Sequence, residues 1–192
     1  MCGRYVAEED QSIDLQALYR AVRVKAPDVM LKSGEIFPTD TVPLLTGTKL
    51  TPTAASWGFP GFDGKGVIIN ARAETAAEKP TFRAAFQQGR CIIPATGYFE
   101  WNTTKQKFRF SPSGGALLYM AGLCRVTPDG LRFVILTTPA APVYEAAAVH
   151  PRMPVLLPAL SADDWMRDAT FAARYLQAPA VGAVPLICTR VG

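Results

Sequence analysis

From Arg90 to Thr137 the chain carries strand-like segments one after another, with no helical period between them. They read as Arg90–Pro94, Gly97–Asn102, Lys107–Phe110, Ala116–Leu123 and Arg132–Thr137, set off by turn-forming residues. Lys107-Phe108-Arg109-Phe110 alternates with period two, as a half-exposed strand does. Shorter strands are expected at residues 2–6, Val42–Thr46, Thr53–Trp57, Met153–Leu157 and Val184–Thr189. Helices are few. One runs from Ser12 to Val24, with Ile13, Leu15, Leu18, Tyr19 and Val22 roughly on one face. A second covers Thr81–Gln88, between a starting Pro80 and a stopping Gly89. A short helix is expected near Val143–Ala148, and Ser161-Ala162-Asp163-Asp164 opens a C-terminal one in capping style. Ser33 to Asp40 reads as a Gly/Pro-punctuated loop.

Strands that do not alternate regularly with helices argue against a doubly wound nucleotide fold, and no G-x-G-x-x-G or P-loop string is present. The expected fold is α+β: curved antiparallel β-sheets forming a barrel-like core with a few flanking helices. With 192 residues, 49% of them hydrophobic, the chain reads as a single domain over residues 1–192 that can bury a sizeable core without staples. Cys2, Cys91, Cys124 and Cys188 show no C-x-x-C spacing, so neither a zinc site nor a compact disulfide framework is expected. The longest uncharged apolar stretch, around Gly114 to Cys124, is too short to span a bilayer, and no signal segment opens the chain. A reducing, cytoplasmic setting is expected. The net charge of +4 tolerates an anionic partner without demanding one, and the arginines are scattered.

The chain opens Met1-Cys2-Gly3-Arg4-Tyr5. Removal of Met1 exposes a cysteine with a free α-amine and a thiol on adjacent carbons, a pair that closes on an aldehyde as an imine and then a five-membered thiazolidine. Ordinary pKa values of about 7.7–8.0 for the amine and about 8.5 for the thiol leave usable fractions of both nucleophiles near neutrality. His150, the single histidine, lies in the stiff Val149-His150-Pro151-Arg152-Met153-Pro154 and can serve as acid or base. Glu100 sits in Thr96-Gly97-Tyr98-Phe99-Glu100-Trp101, where aromatic surroundings would raise its pKa and let it donate a proton near pH 7. Asn70 and Arg72 share a face if their segment is extended; the amide can orient an amine or a sugar hydroxyl, and the guanidinium can clamp a phosphate. Arg4 would share a strand face with Cys2, and Trp57 and Trp101 could stack on bases, although tryptophans so placed are more often core residues.

Taken in order, Cys2-Gly3-Arg4-Tyr5, Trp57-Gly58-Phe59, Asn70 to Thr75 (NARAET), Lys79-Pro80-Thr81-Phe82-Arg83, Arg90 to Trp101 (RCIIPATGYFEW) and His150 to Pro154 (HPRMP) resemble the SRAP family, the SOS-response-associated peptidase-like proteins that process abasic sites. The resemblance implies a protein that binds single-stranded DNA containing an abasic site and crosslinks mature Cys2 to the sugar aldehyde, shielding the lesion. It assigns Asn70 to positioning the amine or sugar, Glu100 to proton transfer in imine formation and reversal, and His150 to ring opening or to protonating the leaving oxygen. Arg4, Arg72 and Arg152 would hold phosphates, while Pro38, Trp57 and Trp101 would pack at the DNA. No metal or organic cofactor is implied. A monomer is expected, cytoplasmic and nucleoid-associated when bound to DNA. The family's usual Asn-x-Ala-Pro string reads Glu35-Ile36-Phe37-Pro38 here, which puts an acid where a phosphate would pass, and Phe62 takes the place of a second tryptophan. Two other readings stand beside this one: a cysteine peptidase or self-processing hydrolase with His150 as base, and a non-catalytic reader of single-stranded DNA.

Overall fold

In the computed structural model the described residues are 2–62, 64–140, 149–177 and 184–192. The strands, in chain order, are β1 (Tyr5–Ala7), β2 (Gly34–Ile36), β3 (Thr41–Thr46), β4 (Thr51–Trp57), β5 (Phe59–Pro60), β6 (Val67–Ile68), β7 (Asn70–Arg72) and β8 (Arg90–Ala95). They continue with β9 (Gly97–Trp101), β10 (Lys107–Pro112), β11 (Leu118–Thr127), β12 (Gly130–Pro139), β13 (Arg152–Pro154), β14 (Leu156–Leu157) and β15 (Leu186–Val191). Helices α1 (Ile13–Lys25), α2 (Ala73–Ala76) and α3 (Pro80–Gln88) lie between strands, and two more, Ala162–Arg167 and Ala169–Gln177, precede β15. No helix among the described residues is long and apolar enough to cross a membrane.

β3 pairs with β4 and β8, β8 with β11, and β11 with β12, all antiparallel. β12 then closes the ring by running parallel to β4, through Arg132↔Ser56 and Phe133↔Trp57. The α+β expectation with a barrel-like core holds, and the parallel seam is the departure from an all-antiparallel sheet. β7 adds a second parallel partner to β12, through Ile135↔Asn70 and Thr137↔Arg72. A separate five-stranded sheet, ordered β15-β10-β9-β1-β2, covers one side of the barrel.

This architecture follows from strands that are apolar on both faces. Along β8, Cys91, Ile93 and Ala95 enter one core while Ile92 enters the other; β12 divides Phe133 and Ile135 from Val134 and Leu136 in the same way. Such strands need a cover on each side. The first core lies between barrel and sheet and takes Tyr5, Ile36, Tyr98 and Phe110 from the sheet's inner face. The second lies under the helices, with Phe82, Phe86, Trp165 and Leu176. Gly122 shows how tight the barrel is. A Cβ there would overlap Ile93 and meet Cys91 Sγ and the Val134 carbonyl at 2.9 Å.

Ser12 caps α1 by accepting from the Leu15 amide at 3.3 Å, and Leu15, Leu18, Tyr19 and Val22 are buried; Ile13, on the first turn, is 83% exposed and does not join them. At the C-terminal end the expected cap fails, because Ser161 belongs to a 3₁₀ turn and its side chain makes no capping bond. Asp168 takes that role one helix later, accepting from the Thr170 and Phe171 amides. The expected helix near Val143–Ala148 falls outside the described residues. The short strands β2, β5, β6 and β7 were not expected; each has two or three residues, too few to show a period.

Arg90 ties the helical layer to the barrel. Its guanidinium is buried and donates to the carbonyls of Phe86 (2.9 Å) at the end of α3 and of Trp165 (2.6 Å) and Met166 (3.1 Å) in the later helix. One cation thereby satisfies orphan carbonyls at two helix C-termini, where the helix dipole favours positive charge. Arg90→Met keeps the aliphatic bulk and strands these carbonyls. We expect a loss of about 2–4 kcal/mol in urea unfolding, with the slope unchanged; a loss within error would show that water replaces the guanidinium.

Candidate active site

Cys2 is completely buried at the junction of barrel and sheet. Its carbonyl accepts from Asn70 Nδ2 at 2.9 Å, and its thiol turns back toward the Arg4 carbonyl at 3.8 Å. β1 begins only at Tyr5, so residues 2–4 are not strand, and Cys2 and Arg4 do not share the face expected of them. Cys2 belongs to the inner core, whereas Arg4 lies over Phe37 and Trp101 on the outside.

The alternation of β9 explains this division. Tyr98 and Glu100 are two residues apart and share one face; Phe99 and Trp101 take the other. Glu100 is 3% exposed, and burial pushes its carboxyl up to about 7. Burial also raises the Cys2 thiol well above its ordinary range, and the negative charge of Glu100 raises it further. Tyr98 is shifted upward by burial first and then by the charges of Cys2 and Glu100, which places it among the buried groups around Cys2. The one signal for Tyr98 in the sequence is its spacing of two from Glu100.

Asn70 opens β7, where pairing with Ile135 of β12 holds it at the barrel rim. The Ile69 carbonyl just before it accepts both from the Ile135 amide (3.1 Å) and from Trp57 Nε1 (2.9 Å). Asn70 Oδ1 is buried without a hydrogen-bond partner among the described residues. His150 follows Val149, whose backbone bridges Asn102, two residues beyond Glu100. Its Nδ1 is buried and also unpartnered among the described residues, and burial, with nearby positive charge that includes Arg152, lowers its pKa. The imidazole is therefore neutral at pH 7 and available as a base. The backbone and electrostatic contacts thus bring Cys2, Asn70, Glu100 and His150 to one end of the barrel.

The expected DNA-facing residues divide. Trp57 is corrected: it is fully buried, edge-on to Tyr5 and stacked on Phe133 at 6.3 Å, so neither face is open to a base. Trp101 is half-buried and leans on Phe99, with the Arg4 guanidinium 4.9 Å from its ring centre. Pro38 is half-buried in a tight turn whose next residue, Thr39, has φ 78°. A β-branched residue rarely adopts that region, and it is held here by the Thr39 amide donating to the Trp57 carbonyl at 2.8 Å. The turn leaves Phe37 40% exposed beside Arg4.

The arginines differ in the partners they already have. Arg72 is exposed and makes no ion pair among the described residues. Arg152 is engaged: it forms a two-pronged pair with Glu74 (2.8 Å each) and donates to the Thr137 carbonyl at 2.6 Å. It braces the strand that follows His150, so its expected role as a phosphate clamp must compete with that bracing. Arg4 donates to Glu35 at 3.1 Å. Glu35 and Glu74 lie 31 and 78 residues from the cations they hold, and a sequence pattern does not show such pairings.

Comparison with known proteins gives a consistent picture. The family described as SOS response associated peptidase (SRAP) matches residues 1–186. The abasic site processing protein YedK of Escherichia coli is 31% identical over 96% of this chain and 88% of its own length. The abasic site processing protein YoqW of Bacillus subtilis is 37% identical over 57% of this chain and 52% of its own. A solved protein from Bordetella bronchiseptica superposes with a TM-score of 0.77 over 100% of both chains, at 25% identity. One from Bacteroides thetaiotaomicron gives 0.78 over 100% of this chain and 92% of that one, at 20% identity, and shares the fold.

Two expectations follow from the geometry. Glu100 is raised in the folded state, so the fold binds an extra proton between about 4.5 and about 7. That contribution is full below the unfolded pKa and is lost as pH rises through the folded one. Between pH 5 and 8 wild type should lose up to about 3 kcal/mol relative to Glu100→Gln in urea unfolding; parallel pH profiles would refute the raised carboxyl. Trp57→Phe removes one of the two donors to the Ile69 carbonyl, and we expect a loss of about 1–2 kcal/mol in unfolding without weaker binding of a single-stranded oligonucleotide. Weaker binding with unchanged stability would return Trp57 to the surface role.

Proposed function

Within the SOS response associated peptidase family, to which this chain belongs, we propose that the protein processes abasic sites in single-stranded DNA by a covalent thiazolidine crosslink through Cys2 after Met1 is removed. The carrying observation is the setting of Cys2: its carbonyl is fixed by Asn70, and a carboxyl titrating near neutrality stands in the same pocket. The relatives' names, abasic site processing proteins, supply the substrate class.

In this reading His150 takes the proton of the anomeric hydroxyl, the bond from that carbon to the ring oxygen breaks as the aldehyde carbonyl forms, and the imidazolium returns the proton to the freed ring oxygen. The freed Cys2 amine attacks the aldehyde carbon and forms a carbinolamine. Glu100, protonated, gives its proton to the departing hydroxyl, which leaves as water, and the iminium ion remains. The thiol then adds to the iminium carbon, forming the C–S bond, and its proton returns to Glu100. One proton cycles through the carboxyl, and the product ring is neutral. A pKa near 7 suits this double duty, since the group must donate in one step and accept in the next. The burial that holds the thiol protonated also protects it until an electrophile arrives.

The peptidase reading requires a thiolate paired with histidine. Here both burial and the Glu100 charge oppose the thiolate, and the thiol is directed to a backbone carbonyl. The site therefore favours an aminothiol reacting with an aldehyde over a cysteine attacking an amide.

Mixing Met1-processed protein with an abasic single-stranded oligonucleotide should give a heat-stable one-to-one adduct by intact mass, without borohydride. Cys2→Ala should abolish it, and Glu100→Gln should slow its formation by about 10²-fold or more. A processed protein that leaves the oligonucleotide free would sink the crosslinking mechanism. Adduct trapped only with borohydride would limit the chemistry to an imine.

A further inference from the structure

On the outer face of the β15-β10-β9-β1-β2 sheet, charge and aromatic surface converge beside the start of the chain. Glu35 Oε1, on β2, accepts from Arg4 Nη1 at 3.1 Å and from Lys107 Nζ at 2.7 Å. Lys107 belongs to β10, which β9 and β1 separate from β2 in the sheet order. Its ammonium lies 3.7 Å from the ring centre of Phe99 and 5.8 Å from that of Trp101. Arg4 lies 4.4 Å from the ring centre of Phe37 and 4.9 Å from that of Trp101. The cluster is open to solvent: the side chains of Arg4 and Glu35 each keep 33% of their surface exposed, and Lys107 keeps 23%.

A single exposed ion pair would need no explanation, since surface pairs contribute little. This arrangement is more particular. Two cations far apart in the chain, Arg4 just before β1 and Lys107 on β10, share one carboxylate oxygen, and three rings border them. A phosphodiester oxygen has the same charge and the same appetite for two donors, and the exposed Phe37 and half-buried Trp101, though not the buried Phe99, offer aromatic surface that accepts bases of any sequence. Arg4 is two residues from Cys2 and its carbonyl receives the Cys2 thiol. A phosphate held here would therefore belong to a nucleotide flanking the reacting sugar.

We propose that Arg4 and Lys107 form a phosphodiester seat beside Cys2, filled by Glu35 in the free protein, and that Glu35 must give up both cations before DNA can enter. The inference rests on the single-stranded DNA reading above. It adds Lys107 as a binding residue and makes Glu35 the group that sets affinity and salt dependence. Glu35 lies where this chain departs from its family's usual asparagine, and the seat gives that departure a consequence. The internal carboxylate lowers the seat's charge from two cations to one, so the free protein holds undamaged DNA more weakly than its arginines alone would suggest. Release of both cations from Glu35 then accompanies each binding event.

The test uses the full chain and an undamaged single-stranded oligonucleotide, which has no aldehyde, with binding followed by fluorescence anisotropy across a salt series. Glu35→Gln should tighten binding by about 3- to 10-fold near 0.1 M salt and steepen the log K against log salt slope by about 0.7. Lys107→Gln should weaken binding and flatten the slope by about the same 0.7. Glu35→Asp, which keeps the charge, should leave the slope as in wild type. Unchanged or weaker binding by Glu35→Gln at an undiminished melting temperature would overturn the seat. If Glu35→Gln melts early, an unchanged slope in Lys107→Gln would overturn it independently. Adduct formation with an abasic oligonucleotide, run in parallel, separates the two proposals: wild type that crosslinks while these variants bind alike refutes only the seat. Wild type that neither crosslinks nor binds refutes both.

Discussion

The barrel closes on one carbonyl. At Ile69 the chain accepts a backbone bond from Ile135 of β12 and a side-chain bond from Trp57 of β4, the two strands that meet at the parallel seam. A carbonyl has two lone pairs, and both are used inside the core, where an unmade bond is costly. The next residue is Asn70, whose amide holds the Cys2 carbonyl. The seam that makes the barrel a closed object thus also determines where the first residues of the chain come to rest. Trp57 matters to the site through this support, although it touches nothing outside the protein.

What the sequence made legible follows from which signals are local. β8, β11 and β12 were evident because both faces of each are apolar, and α1 and α3 because Ser12, Pro80 and Gly89 mark their ends. β5, β6 and β7 were not, since strands of two or three residues carry no period and exist by virtue of their partners. Parallel pairing of β12 with β4 and β7 is a property of the assembled ring and leaves no mark on either strand. Within the candidate site, residue chemistry and family resemblance point to Cys2, Asn70, Glu100 and His150 as the groups proposed to act. The fates of Trp57 and Trp101 could not, because a tryptophan on a strand looks the same whether its ring meets Phe133 or solvent. The partners of Arg4 and Arg152 were hidden for a related reason: cations announce themselves, but the acids that hold them lie far along the chain.

The end of the barrel is organised in two electrostatic zones, and β9 divides them. Toward the core, Tyr98 and Glu100 face Cys2, where burial disfavours every charged form. Toward solvent, Phe99 and Trp101 carry Lys107 and Arg4 on their faces, with Glu35 balancing them. A strand's period of two is enough to produce this separation, because successive side chains leave on opposite faces. Arg152 and Glu74 make a comparable balanced pair on the His150 side, which leaves Arg72 as the exposed site arginine without an ion pair among the described residues.

The two zones suit two different properties of the proposed substrate. DNA is an anion, but the atom to be attacked is a neutral aldehyde carbon. A site that desolvates its groups makes charge costly: near pH 7 it keeps the thiol and the imidazole neutral, and it holds the carboxyl, with its pKa of about 7, divided between acid and base. In the proposed mechanism the iminium charge forms beside a carboxyl that has just surrendered its proton. That attraction is strongest in a low-dielectric site. Phosphates in the same pocket would spoil this economy by pinning the carboxyl in its acid form, so the chain keeps its cations outside, on the far face of the same strand.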